Sequence, residues 1–230
     1  MTVALLQMDG MAVRFRRHAQ ARRLVLRYDP ASDEFRVSLP AGVSARTAER
    51  FVRDHRDWML NERARHPHPL GPGDMLPYLG IGRRIAYTDI SPRTIRLEED
   101  CLTVGGPADQ APARLQRWLR ASARAHIAPI ARGYGDRLNV APSRISIGDM
   151  RTRWGSCSSR GTLRFNWRIM LAPPPVVRYL VAHEVAHLLE LNHSPRFWAH
   201  VARLCAEWRQ HRSWLTHHGG ALMAVRLAAV

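Results

Sequence analysis

The chain has 230 residues, enough to bury a sizeable core in one domain or two. Hydrophobic residues make up 46% of it, an ordinary globular share, and no run reaches the roughly 18 apolar residues of a helical membrane span. The formal net charge is +16, and all 35 basic residues are Arg, so the surface is attractive to polyanions, although the arginines are spread along the chain and form no single basic arm.

Near the N-terminus, MTVALLQMDGMAVRFRRH has only a short apolar patch broken by Asp9, and it does not read as a secretory signal. RRLVLRYDPASDEFRVSLP predicts a hairpin. Leu24, Leu26 and Tyr28 alternate with other residues, Phe35, Val37 and Leu39 do the same, and DPASDE turns between them. Ser44 can cap one helix reaching about Arg63, with Phe51, Val52, Trp58 and Met59 as its apolar face. HPHPLGPGDMLPYLG is rich in Pro and Gly and must be a loop, so His66 and His68 read as part of a solvated linker. Short strands follow near RRIAYTDI and TIRLEEDCLTVGG. A long helix is expected from Ala113 to Leu138, kinked at Pro129. SRISIGDMRTRWGSCSSRGTLRFNWRIML reads as two strands around a Ser/Gly turn. Pro173 to Pro175 then open a helix. No internal repeat is visible. The three cysteines, Cys101, Cys157 and Cys205, are too scattered for a disulfide framework or a Cys-based zinc ribbon, and they point to a reducing compartment, the cytoplasm.

The helix opened by Pro173 to Pro175 runs into VAHEVAHLLELNHSPRFW, which holds three of the twelve histidines. Residues four apart share a helix face, so His183 and His187 can offer imidazole nitrogens to one ion. Glu184 lies about 100 degrees further round the helix, poorly placed as a ligand on that face but able to take a proton from a water held at the ion. This is the pattern of a catalytic zinc site, and HExxH should arise by chance only about 0.03 times in such a chain. The bland alternative is a buried helix with hydrogen-bonded histidines. The helical pattern continues to Leu191, Asn192 can end it, and Ser194 with Pro195 can start the next helix, so His193 lies in a turn that can fold back to the metal. Glu207 on that next helix and Glu190 near the first face are rival third ligands.

The block TRWGSCSSRGTLRFNWRIMLAPPPVVRYLVAHEVAHLLELNHSPRFW resembles the signature of the YgjP-like metal-dependent hydrolases, a group near the WLM and SprT zinc metallopeptidases. Its elements are RWGSC, the N-W-R strand, L-A-P, HExxH, and N-H-S followed by F-W. RRLVLRYD, FRVSLP, FVRDHRDWM and PYLGIGRRIAY extend the likeness over nearly the whole chain. The resemblance implies one Zn2+ per chain held by His183, His187 and His193, with Glu184 as general base. Val185 stands where the usual family motif has Leu. The His spacing also equals that of the metzincins, but Glu190 occupies the position of their turn glycine.

In RWGSC, an extended strand would put Arg151 and Arg153 on one side and Trp154 on the other. Arg153, Trp154 and Gly155 are candidate substrate contacts: Arg153 for an oxyanion or phosphate, Gly155 for close approach of a substrate backbone along an edge strand. Cys157 is a further possible zinc ligand, and Phe197 and Trp198 read as core.

The expected fold is α+β. A zincin-like metallohydrolase domain over 111–230, with its HExxH helix packed on a small antiparallel sheet, follows a β-rich region over 1–110 with one helix. The expected function is zinc-dependent hydrolysis of a peptide or protein substrate. Two alternatives stand beside it: UTP-type nucleoside triphosphate pyrophosphohydrolysis at the same metal, implied by some members of the resembled family, and a SprT-like protein associated with DNA, to which the Arg-rich surface could add non-specific nucleic-acid binding. No membrane partner is expected.

Overall fold

The computed structural model describes residues 4–29, 32–65, 69–90 and 92–228. His66 and His68 lie outside them, as do Pro30 and Ala31 of the hairpin turn. The chain divides into two compact units, 1–69 and 70–228. The break falls at the Pro/Gly-rich loop and not at residue 110, because the strands after that loop share a core with the long helix behind them.

In the first unit, strands β1 (Ala4–Met8), β2 (Met11–Arg17), β3 (Val25–Asp29) and β4 (Glu34–Leu39) form one sheet in the order β1-β2-β4-β3. The predicted hairpin is β3 and β4, paired antiparallel with Leu26 opposite Val37 and Tyr28 opposite Phe35. Met11, Val13 and Phe15 of β2 alternate inward with Phe35, Val37 and Leu39 of β4, and the sheet's core is completed by Ala48, Val52 and Met59. The expected single helix is two, α1 (Ala45–Asp54) and α2 (Arg56–Arg65). Ser44 does cap α1, accepting from Thr47 N–H at 3.1 Å. At His55 the backbone leaves helical geometry (φ −102, ψ 13), and the ring Nδ1 is 2.8 Å from Phe51 O.

The second unit begins with β5 (Met75–Tyr78), β6 (Ile81–Thr88), β7 (Ile95–Leu97) and β8 (Cys101–Gly105), in the order β5-β6-β8-β7. Here lies a repeat that the sequence does not reveal. In both sheets the neighbours run antiparallel, parallel, antiparallel in the same order. Both open on a hairpin whose two turn residues have positive φ, Asp9 and Gly10 in one, Leu79 and Gly80 in the other. In both, a helix follows the fourth strand. The side chains have diverged, so only backbone requirements still carry the likeness. Leu79 tolerates its left-handed conformation because its N–H donates to Met170 O at 2.7 Å, and a Cβ on Gly80 would come within 3.0 Å of Pro173 Cα.

The long helix α3 (Ala111–Leu138) runs through Pro129 without a break and ends at Asn139 in the left-handed conformation. It buries Leu115, Leu119, Ala123, Ile127 and Ala131 along one face. Strands β9 (Arg144–Gly148), β10 (Gly155–Cys157) and β11 (Thr162–Asn166) make a third sheet, ordered β10-β11-β9. It is mixed and not purely antiparallel, because β11 pairs parallel with β9. After a 3-10 turn over Trp167–Leu171, the chain enters α4 (Pro174–Ala186), α5 (Pro195–Leu204) and α6 (Trp208–Ala224). The architecture is α+β. No helix of the described residues is long and apolar enough to cross a membrane.

Candidate metal centre

Helix α4 is held by its apolar side. Val176, Val177, Leu180, Val181 and Val185 are buried, which turns His183 and His187 along its remaining face, their ring centroids 4.9 Å apart. The helix ends at Ala186, six residues short of the expected end at Asn192. His187 caps it, and the chain turns tightly as Leu188, Leu189 and Glu190 donate N–H groups back to Val185, Ala186 and Ala186. This turn fixes the His187 ring: its Nδ1 is 2.9 Å from Glu190 O, so the proton sits on Nδ1 and Nε2 keeps its lone pair. Glu190 therefore contributes a backbone carbonyl here.

Ser194 and Pro195 start α5 as the sequence predicts, with the Ser194 hydroxyl accepting from Phe197 N–H at 3.3 Å, and Asn192 Oδ1 accepting from Ser194 N–H at 3.1 Å. His193, between them, folds back until its Nε2 is 3.2 Å from Nε2 of His183. Two nitrogens on one tetrahedral zinc, each bonded at about 2.0–2.1 Å, would stand about 3.3 Å apart. The ligand atoms of His183, His187 and His193 all lie within 4.8 Å of one another, and this trio is the candidate metal-binding cluster among the described residues. Neither Cys157, Glu190 nor Glu207 joins it. The Glu207 side chain is 73% exposed and lies 3.6 Å from His211. Cys157 Sγ donates to Ser158 O at 3.4 Å, and its thiol is pushed up by burial and by the nearby Glu184.

Phe197 is core, as expected, but it also packs against all three rings. Its centroid is 4.9, 4.4 and 4.7 Å from those of His183, His187 and His193. Trp198 lies beside His193 and stacks on Trp208 at 4.2 Å. Burial pushes the pKa of His183 down to about 3, helped by the neighbouring His187, His193 and Arg212, so its imidazole is neutral as a ligand must be. Its Nδ1 is buried without a hydrogen-bond partner among the described residues.

Glu184 is 4% exposed, and its Oε2 is buried with no hydrogen-bond partner among the described residues. Burial pushes its carboxyl up to about 8, opposed only by the charge of Arg153. The carboxylate occupies the space where a Cβ on Gly155 would stand: such an atom would lie 2.3 Å from Oε1 and 2.5 Å from Cδ. The close approach that Gly155 permits is thus to Glu184 itself.

The segment before Gly155 is not extended as expected. Residues 149–154 bend, because the fully buried Asn166 gathers them: its Nδ2 donates to Met150 O at 2.7 Å and to Arg153 O at 3.4 Å, while its N–H donates to Trp154 O at 2.7 Å. The bend separates the three residues singled out as substrate contacts. Trp154 and Gly155 line an open cleft of about 500 Å³ together with His183 and Glu184, whereas Arg153 is not among its lining residues. Arg151, Tyr179 and Arg212 are. Tyr179 is one helical turn before His183, a spacing visible in the sequence; its phenol is pushed up to about 12 by burial, against the opposing charge of Arg212, and stays a donor. Nothing local marks Arg212, which α6 brings in from far downstream.

A set of three imidazole nitrogen donors beside a buried carboxylate and an open cleft suits metal-assisted hydrolysis, and the class is that of metal-dependent hydrolases. A family model described as YgjP-like, metallopeptidase domain, matches residues 22–218, and the chain belongs to that family. A comparison with curated proteins finds no match. Among solved structures, the chain is similar to that of the metallopeptidase zymogen of Pyrococcus abyssi abylysin, with 17% identity and a TM-score of 0.37, over 44% of this chain and 98% of that one.

Proposed function

We propose that the protein is a zincin-like zinc peptidase in which His183, His187 and His193 hold one zinc ion and Glu184 is the general base. The observation that carries this reading is the convergence of three imidazoles, two of them with Nε2 atoms 3.2 Å apart, beside a carboxylate 4% exposed. When bound, zinc supplies Lewis acidity toward a carbonyl oxygen and lowers the pKa of a water toward about 7. Glu184 takes a proton from the attacking water as its oxygen bonds to the peptide carbonyl carbon. It returns that proton to the amide nitrogen as the C–N bond breaks. Burial keeps competing solvent off the carboxylate, and Gly155 leaves it room. Among the described residues strand β10 is at the edge of its sheet and pairs only with β11, so an extended peptide can add beside it, against Trp154 and Gly155. Arg153 would act through its charge on Glu184. The expected compartment is the cytoplasm, where the three unpaired cysteines are in keeping with reducing surroundings.

Cleavage of a nucleotide phosphoanhydride is a second reading, favoured only by Arg151 and Arg212 on the cleft wall. The test is turnover of zinc-loaded protein against a peptide library and a nucleotide panel containing UTP, with Glu184→Gln as the blank. Peptide cleavage by the wild type alone supports the peptidase. Turnover confined to nucleotides overturns it.

A further inference from the structure

We propose that the cleft beside the three histidines selects peptides carrying a carboxylate within three residues of the cleaved bond, with Arg212 as the specificity-determining group and Arg151 assisting. The proposal rests on the peptidase reading and adds the substrate class.

The charge in the cleft is one-sided. Its one lining carboxylate, Glu184, is 4% exposed and packed against Gly155, so it presents almost no surface to a ligand. Arg151 and Arg212 line the same cleft and are exposed. Neither has a carboxylate within 4 Å among the described residues. A cationic side chain of a substrate would meet repulsion there, and an uncharged one would offer neither guanidinium an opposite charge.

Arg212 is also held in place. Its guanidinium carbon lies 4.8 Å from the centroid of the Trp198 ring. Trp198 in turn stacks on Trp208, centroids 4.2 Å apart and planes 16° apart, and Trp208 is buried. A guanidinium against an aromatic face keeps its edge N–H groups free in the fork that matches a carboxylate, and little side-chain freedom remains to be lost on binding. The same indole fixes the distance to the metal centre. The Trp198 centroid is 5.9 Å from that of His183 and 5.8 Å from that of His193. The guanidinium is therefore no more than about 11 Å from those rings, or three residues of extended chain at about 3.3–3.6 Å each.

A carboxylate can come from an Asp or Glu side chain or from the substrate's C-terminus, and the test separates the two. An uncharged, cleavable peptide is placed in four forms: with Glu or with Gln near the bond, each with a free or an amidated C-terminus. Expected is a kcat/KM at least tenfold higher for the form with the preferred carboxylate than for its neutral counterpart. Arg212→Leu should reduce that ratio to near one, Arg212→Lys should keep part of it, and Arg212→Glu should invert it in favour of a Lys-containing peptide. Arg151→Ala should reduce it more mildly. A purely structural role for Arg212 would slow all peptides alike and leave the ratio intact. Binding of the same peptides to zinc-loaded Glu184→Gln, followed by tryptophan fluorescence, supplies a readout that does not need turnover. Equal kcat/KM and equal affinity for acidic and neutral peptides would overturn the proposal. Failure of the peptidase reading has a different signature: no peptide is cleaved by the wild type, whatever the binding preference.

Discussion

Gly155→Ala is the most incisive single change to the centre. The added methyl would stand 2.3 Å from Glu184 Oε1, 2.5 Å from Cδ and 2.7 Å from Cγ. Carbon atoms rest about 3.5–4.0 Å apart, so the carboxylate must retreat by about 1 Å or β10 must lift away from α4. Overpacking of this kind costs about 1–3 kcal/mol of stability. A catalytic group misplaced by about 1 Å costs on the order of 10²-fold in rate. The three histidines lie on α4 and in the turn before α5, none on β10, so zinc content should stay at one per chain. The assay pairs metal analysis and thermal melting with peptide turnover. Expected are retained zinc, a modest loss of stability and a rate reduced about a hundredfold. Wild-type turnover by a folded Gly155→Ala protein would show that the position of Glu184 against β10 has no part in catalysis.

Glu184→Gln should keep the metal and the fold while losing about 10²–10⁴-fold or more in rate; loss of zinc from that variant, measured by metal analysis, would make Glu184 a ligand. His193→Ala should weaken zinc binding at least tenfold in a chelator competition, whereas Glu207→Ala, which alters a largely exposed side chain, should change it by less than about threefold; the reverse order would exchange their roles. Asp149 tests the support of the bend before β10. It accepts from Arg168, from Gln116 at 3.2 Å and from Arg120 at 3.4 Å. Burial works to raise its pKa, but the bond and charge of Arg168, together with Trp167 and the charge of Arg120, outweigh it and the net shift is downward. A lowered folded-state pKa means stability present above the ordinary carboxylate value of about 3.9 and lost as pH falls through the folded value. Asp149→Asn should therefore cost about 1–2 kcal/mol near neutral pH, with the difference from wild type shrinking in denaturant melts below about pH 4; a gap constant from pH 7 to pH 2 would refute this.

What the sequence made legible was local. The alternation of Leu26 and Tyr28 against Phe35 and Val37, the cap at Ser44, the four-residue step from His183 to His187 and the Ser194-Pro195 helix start are short-range patterns, and each has its counterpart in the structure. The return of His193 could be read from the turn around it. What lay beyond reach depends on partners distant in the chain. Leu188, Leu189 and Leu191 continue a helical pattern, yet the helix stops at Ala186, and the turn presents the Glu190 carbonyl to His187. Arg151 to Trp154 could have been a strand, but Asn166 draws their carbonyls into a bend. The repeated sheet topology survives in turn geometry and strand order, which alternation alone does not record. Arg212 enters the cleft only because α6 packs there, where Gly219 admits the Trp154 ring: a Cβ at that glycine would lie 3.1 Å from Trp154 Nε1.

The proposed centre is one zinc ion on three histidines. Anomalous diffraction at the zinc absorption edge, from crystals of zinc-loaded protein, tests it most directly. A single strong peak is expected within about 2.0–2.1 Å of an imidazole nitrogen of each of His183, His187 and His193. A peak liganded by Glu207 or Cys157 in place of His193, or no peak at the three histidines, would contradict it.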